Sequence, residues 1–401
     1  QDSVLIVSMI KASPEKMRIA LVTVLAAVLA VLAVHSVWPA FHKPVVWTPD
    51  ALYYEARLLE LRGLDHNAAF RRTFEGRISA ELRSRDPHHT GDPAWVKYNE
   101  PFYERRVALP LAGAAIEPLA GERSLLDLSL VGYVASILAL FGLLLLRFRV
   151  AVAGAVAAAT VFLHPLATHS SFPLSDSWGL TLEIVAFAAA LLTLDRGLRW
   201  LPLWIGAIAL LAFTRDSTWI PVLAVGWCAF RYRSRAPVTL FATGIAAAIP
   251  ALLLFKTPVR DLLALLINHN DVSPDTSWTF IASHYPRALL DLIRANVGYL
   301  RRGEWYTAIY LVGGIVSLLA LVIRGRAKGV TAALMTAGAF LGVGYVVAAP
   351  SFSAFRLELV LVPMAAYGLA LVVELVASRV REHERVPAGP ALRVLARARR
   401  S

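Results

Sequence analysis

Asp50 is the acid best placed for chemistry in this chain. It follows Thr48 and Pro49, shortly beyond the first long apolar run, and heads an amphipathic stretch. An acid at that point lies near a membrane face, where a general base takes the proton of a hydroxyl acceptor. The helix N-terminus favours its charged form, which keeps the base available and limits its strength. The same placement also serves a structural role, as a first-turn carboxylate beside a Thr48 cap, and the two roles are compatible.

Arginines supply the second signal. Arg215 and Asp216 occupy a tight turn between two apolar runs, and Arg356 with Glu358 opens the last run. A guanidinium there binds a phosphate through two parallel N–H donors, and a charge at the mouth of a span is a functional hypothesis by default. The structural alternative is a salt bridge or snorkelling toward headgroups. Arg105 and Arg106 carry the same chemistry in a wetter loop. Tyr54 and Arg57, one and two turns beyond Asp50, together with His164 and His169, complete the substrate-binding candidates. His164, His169, Asp176 and Glu183 surround a turn containing Pro165 and Pro173. Their spacing matches no strong metal motif, so polar packing competes with cation binding; a divalent cation is conceivable and not indicated, and no metal or other cofactor is assigned. Glu183 stands roughly 10 Å deeper than Asp176 along a helix, where a carboxyl must be paired, hydrated or protonated. The pair His88 and His89 reads as solvated loop.

These residues need an apolar frame. Of 401 residues, 57% are hydrophobic, above the ~45–50% of soluble domains. The excess gathers into ten candidate spans beginning near Ile19, Leu125, Val150, Leu174, Trp200, Ser217, Val238, Trp305, Gly329 and Leu357. Crossing a hydrocarbon core takes ~20 apolar helical residues; some of these runs are short, so a pair could be re-entrant. The expected fold is an all-α polytopic bundle forming a single transmembrane domain over 1–401. With the N-terminus inside, each short inner loop is net basic, through Arg147 and Arg149, then Arg196 and Arg199, Arg231 to Arg235, and Arg324 to Lys328. That is the positive-inside pattern. It places both termini in the cytoplasm and makes the net charge of +12 mainly a topology signal, with no nucleic-acid partner assigned to the basic C-terminal tail. The first run reads as a span; as a signal peptide, with Lys11 and Lys16 in its n-region, it would be long and without a clear cleavage site.

Two insertions, at about 41–124 and 256–304, fall on the outer side. In the first, Asp50 to Arg62 is expected to be helical, with Thr48 as N-cap, Pro49 at its first position and Gly63 after its end. Leu52, Ala56 and Leu59 form one apolar stripe and Ala51, Tyr54, Leu58 and Leu61 another, with Tyr53 on the charged face. A second helix is expected over His66 to Arg85, and Pro101 to Arg106 leads back to the membrane. In the second insertion, Asp261 to Asn268 and Pro286 to Tyr299 are expected to be amphipathic helices joined by a polar turn from His269 to Ser277.

The single cysteine, Cys228, excludes an intrachain disulfide and a multi-cysteine zinc site. GxGxxG in a strand–helix context, GxxxxGK[ST], HExxH and GxSxG are all absent, so soluble nucleotide-binding, zincin and serine-hydrolase chemistry lack their usual residues. The large first outer loop beginning shortly after span one, with Trp47-Thr48-Pro49-Asp50-Ala51-Leu52-Tyr53-Tyr54 heading its helix, resembles the GT-C glycosyltransferases. The architecture match covers nearly the whole chain, and size and loop are similar to bacterial mannosyltransferases of that class. The family often carries two adjacent acids where this chain has Asp50 and Ala51.

That resemblance implies an enzyme of the bacterial inner or plasma membrane that moves a sugar, mannose in the nearest comparison, from a polyprenyl-phosphate donor to a lipid or glycan acceptor on the extracytoplasmic face. It implies Asp50 as base, and membrane lipids as surroundings. A lipid or solute transporter and a non-catalytic assembly subunit are the competing readings. The polar residues concentrate on one side, which favours one-sided chemistry over transport. The topology is testable. In a Cys228-free background, single cysteines at Arg57 and Arg287 should label from outside and those at Arg233 and Arg326 from inside. Labelling of position 233 from outside, with 57 reached only from inside, overturns the orientation.

Overall fold

The computed structural model describes residues 14–255, 258–350 and 355–384. Lys11, Lys256 and the basic tail beyond Glu384 lie outside the described residues. Among the described residues the fold is all-α. The principal helices are α1 (Pro14–Ser36), α2 (Pro49–Leu61), α3 (Ala108–Ala120), α4 (Ser124–Leu145), α5 (Val150–Val161), α6 (His164–Ser170), α7 (Asp176–Arg196), α8 (Leu201–Ala212), α9 (Trp219–Tyr232), α10 (Arg235–Leu254), α11 (Val259–Ile267), α12 (Trp278–Arg301), α13 (Trp305–Ile323), α14 (Gly329–Ala348) and α15 (Val362–Glu384).

The chain is a polytopic membrane protein, and its span count is lower than ten. Among the described residues, seven helices are long and apolar enough to cross a bilayer, or eight if the pair α5 and α6, bent by 62°, is one broken span. The runs near Trp200 and Ser217 fall short. They form α8 and α9, of 12 and 14 residues, which rise only about 18 and 21 Å against a core of ~30 Å. The two are consecutive, so removing both leaves the expected sidedness of every later loop unchanged. Between them lies the turn that carries Arg215 and Asp216.

Burial orders the bundle. In α7, 67% of the most apolar stretch is buried, against 11% in α1, so α7 is central and α1 is peripheral. Helix α7 packs on α4 and α8, and α9 packs on α10 and α14. Asp176 therefore heads the most enclosed helix of the molecule, where the N-terminal dipole favours negative charge.

Helix α2 follows its sequence signals closely. The Thr48 hydroxyl accepts from the Ala51 amide, Pro49 takes the first turn, and Gly63 ends the helix at φ +93, with its N–H on the Glu60 carbonyl at 2.8 Å. Both apolar stripes are covered, on opposite sides. Ala51, Tyr54 and Leu58 pack on Leu109, Leu125 and Leu174 of the bundle, while Leu52 and Tyr53 pack on Phe74 and Trp95 of the covering loop. Tyr53 is thus buried, although its angular position puts it on the charged face; Tyr103 stacks on it at 4.4 Å. The helix expected over His66 to Arg85 is broken. It runs as His66–Phe70, continues as a π turn over Arg71–Glu75, and resumes at Ala80–Arg85. A Cβ on Gly76 would lie 2.0 Å from the Arg72 carbonyl, so the chain makes this approach only with glycine. In the second insertion α12 begins eight residues before the expected Pro286 and carries that proline inside.

Helices α13 and α15 meet through glycine. A Cβ on Gly368 would lie 2.0 Å from the Gly314 carbonyl, and one on Gly314 would lie 2.4 Å from that of Ala365. Backbone-to-backbone approach of this kind is a principal source of cohesion where apolar burial drives little. Gly314→Leu should therefore lower the melting temperature in detergent, at a cost of about 1–3 kcal/mol or more. Gly313→Ala, at a neighbouring position with open space, should be neutral or slightly stabilising.

Candidate functional site

One cavity of about 380 Å³ gathers Asp50, Arg106, Arg215 and Arg356, together with Tyr103, Asp216 and Tyr345. Its volume falls within the ~300–1,000 Å³ of small-molecule sites. Four separate parts of the chain build it. Helix α2 supplies Asp50, the returning loop Tyr103 and Arg106, the α8–α9 turn Arg215 and Asp216, and the entry to the last span Arg356. Leu262, Leu265, His269 and Asn270 of the second insertion close another side.

The charges are cross-wired. Arg356 donates Nε to Asp176 Oδ1 at 2.9 Å and Nη2 to Oδ2 at 3.0 Å, and its Nη1 reaches Asp50 Oδ2 at 2.6 Å. Arg215 Nη1 adds a contact to Asp176 Oδ1 at 2.8 Å. On the other side, Asp216 accepts from Arg105 and from Arg106 Nη2, the latter at 2.8 Å. Arg215 and Asp216, adjacent in the turn, therefore pair with other partners. With all seven groups ionised, four arginines face three aspartates, and one positive charge remains in excess. That excess suits an anionic ligand.

Burial works against charge on Asp50, but Arg356, a hydrogen bond from Tyr103, and Arg106 outweigh it and hold the carboxyl below its ordinary range. Tyr103 moves the other way. Burial and the neighbouring Asp50 push its hydroxyl well above the usual phenol value, so it stays a donor. The Arg106 guanidinium lies 5.0 Å from the Tyr103 ring centroid and reaches the Tyr54 hydroxyl. Tyr54 also bonds Ser175 Oγ at 2.8 Å, tying α2 to the turn before α7. Tyr54 thus supports the site from behind.

Other expected residues lie elsewhere. Arg57 pairs with Glu60 at 2.5 Å, outside the cavity lining. His164, at the start of α6, pairs with Glu304 at 2.6 Å on the surface and does not line the cavity. His169 is near enough to Asp176 to act on its charge, but does not line the cavity. Glu358 accepts from Asn296 Nδ2 at 3.1 Å. Glu183 is fully buried, and neither carboxyl oxygen has a hydrogen-bond partner. His88 and His89 are not simply solvated, since both bridge to Asp271 of the second insertion at 3.1 Å. Tyr103 and the lining from the second insertion were not legible in the sequence. The one cue was the aromatic and basic crowding between Phe102 and Arg106.

A second, apolar pocket of about 170 Å³ is lined by Ala108, Leu109, Ala112, Leu128, Trp178, Leu182, Leu210 and Thr214. Thr214 precedes Arg215 in the chain, and Ala108 follows Arg106 by two residues.

Removing Arg356 leaves two carboxylates without their shared cation. Arg356→Ala should cost about 3–5 kcal/mol, read as a loss of thermal stability. Asp50 contributes a pH dependence whose sign follows from its lowered pKa. The increment is complete above the ordinary value of 3.8 and is lost as pH falls through the lower folded-state value. Asp50→Asn should remove that acid-side loss and leave the profile from pH 5 to 8 unchanged. A wild-type increment that disappears already near neutral pH contradicts this arrangement.

No family model and no curated protein matches this chain.

Proposed function

We propose that the chain transfers a sugar from a polyprenyl-phosphate donor to a hydroxyl of a lipid or glycan acceptor at the extracytoplasmic face of the membrane. The observation that supports the reading is the arginine-rich cavity with one excess positive charge beside Asp50, in a molecule that also holds an apolar pocket lined by residues close in the chain to Arg106 and Arg215. A lipid phosphate needs both, with the head among guanidinium groups and the chain among Ala112, Leu128 and Trp178.

In this reading Asp50 is the general base. The acceptor oxygen attacks the anomeric carbon as the bond from that carbon to the phosphate oxygen breaks, and the leaving phosphate takes the electron pair. Arg106, Arg215 and Arg356 offset the charge that develops there. The acceptor proton passes to Asp50. A carboxylate held below its ordinary pKa is a weak base, and it suffices where the transition state is oxocarbenium-like and the attacking hydroxyl becomes acidic as its bond forms. Displacement without a covalent intermediate inverts the anomeric centre.

Asp50→Asn keeps size and hydrogen bonding but cannot take the proton. Purified protein in lipid, given a panel of polyprenyl-phosphate sugars, should lose ~10²–10⁴-fold in turnover with this change and retain donor binding. Turnover near wild type with a donor that wild type uses removes Asp50 as base. A separate arm fills the apolar pocket. Ala112→Trp should raise the KM for a long-chain donor more than for a short-chain one; equal effects on both count against the pocket as the seat of the lipid chain.

A further inference from the structure

At the rim of the cavity, the loop after Arg85 meets the turn after α11. His88 Nε2 and His89 Nε2 both stand 3.1 Å from one oxygen, Oδ1 of Asp271. His89 Nδ1 lies 2.9 Å from both carboxylate oxygens of Asp86. The ligand-type atoms of His88, His89 and Asp271 all fall within 4.8 Å of one another.

A neutral imidazole carries one N–H. His89 faces a carboxylate at each ring nitrogen, so a proton given to Asp86 leaves a bare lone pair on Nε2, directed at an anionic oxygen. A second imidazole converges on that same oxygen. Where these nitrogens present lone pairs, a metal ion between them and the carboxylate satisfies all three. A tetrahedral ion with bonds of ~2.0–2.1 Å sets neighbouring ligand atoms roughly 3.3 Å apart, close to the observed separations. A ligand histidine also normally donates its other N–H to a carboxylate, which fixes tautomer and ring orientation. Asp86 stands in that place. Two nitrogens and one oxygen select an ion of intermediate softness over magnesium or calcium.

We propose that His88, His89 and Asp271 bind a divalent transition-metal ion of the zinc class, with Asp86 orienting His89. The ion joins the first insertion to the second, alongside the hydrogen bond from Trp95 Nε1 to the Asn270 carbonyl at 2.8 Å. Asp86, His89, His269 and Asn270 also line the main cavity, so the ion fixes one wall of it. Three protein ligands leave a fourth position for water or for a ligand group. The inference stands independently of any sugar-transfer reaction.

The test uses the full chain carrying no polyhistidine tag, purified in detergent, stripped with a chelator and equilibrated with zinc chloride. Elemental analysis after removal of free metal should give one zinc per chain, and cobalt(II) in its place should show the visible bands of a tetrahedral N/O site. Asp86→Asn should weaken zinc binding by about 10–100-fold while the gel-filtration profile stays that of wild type. His88→Ala/His89→Ala should abolish stoichiometric binding. Wild-type protein that retains no zinc overturns the proposal. Stoichiometric zinc surviving in the double variant also overturns it.

Discussion

The Arg356 guanidinium is the constraint on which the rest of the site depends. Its fork grips Asp176 at the head of the most enclosed helix, and its remaining edge holds Asp50 at the head of α2. Three chain segments far apart in sequence meet at one planar cation. A lysine has neither the planar geometry nor enough fixed donors to hold two carboxylates in this way. Such a network costs desolvation on every charge, and the cost is offset here because Asp176 and Asp216 each receive two arginines while Asp50 receives Arg356 and the Tyr103 hydroxyl. The arginine thereby sets the distance between the loop helix and the bundle, and with it the depth of the cavity.

This role changes the meaning of the other cations. Arg215 is also committed to Asp176, and Arg105 with Arg106 to Asp216. None of the four is a free anion receptor, and one positive charge is left over from the pairs. In the proposed reading a phosphate would compete for donors already in use, so that binding and local rearrangement would be coupled. The shortness of α8 and α9 belongs to the same design. Both stop at the turn bearing Arg215 and Asp216, so the charges enter a recess bordered by apolar helices, where electrostatic interactions are stronger than in water.

Helix α2 shows how one short element serves two surfaces. Its stripe of Ala51, Tyr54 and Leu58 seats it on the bundle, and Leu52 with Tyr53 seats the covering loop on it. With both sides covered, Asp50 is left no freedom to swing away. Tyr103, stacked on Tyr53 and bonded to Asp50, makes the cover part of the electrostatics, and the His88–His89–Asp271 contact fixes the far edge of that cover to the second insertion.

The sequence by itself determined the membrane character of the chain, its helical class and the bounds of α2, because each rests on local physics: apolar length, a Thr cap, a first-turn proline and a left-handed glycine. It also named Arg215 and Arg356, because charges at the mouths of apolar runs are costly enough to be informative, and Asp50 from its place at a helix start, but it named Arg57, His164 and His169 beside them, which do not line the cavity. It overcounted spans, since hydropathy does not register that α8 and α9 stop short around a polar turn. Only the tertiary structure decided the pairings. Arg356 and Asp176 are 180 residues apart, and Arg215 passes over adjacent Asp216 in favour of Asp176. Angular periodicity put Tyr53 with the charged face, but the loop packed over α2 buried it. His164, a weaker candidate in the sequence, pairs with Glu304 at the surface instead. Each of these outcomes depends on how helices rotate and approach one another, and the one-dimensional spacing of residues does not encode that directly.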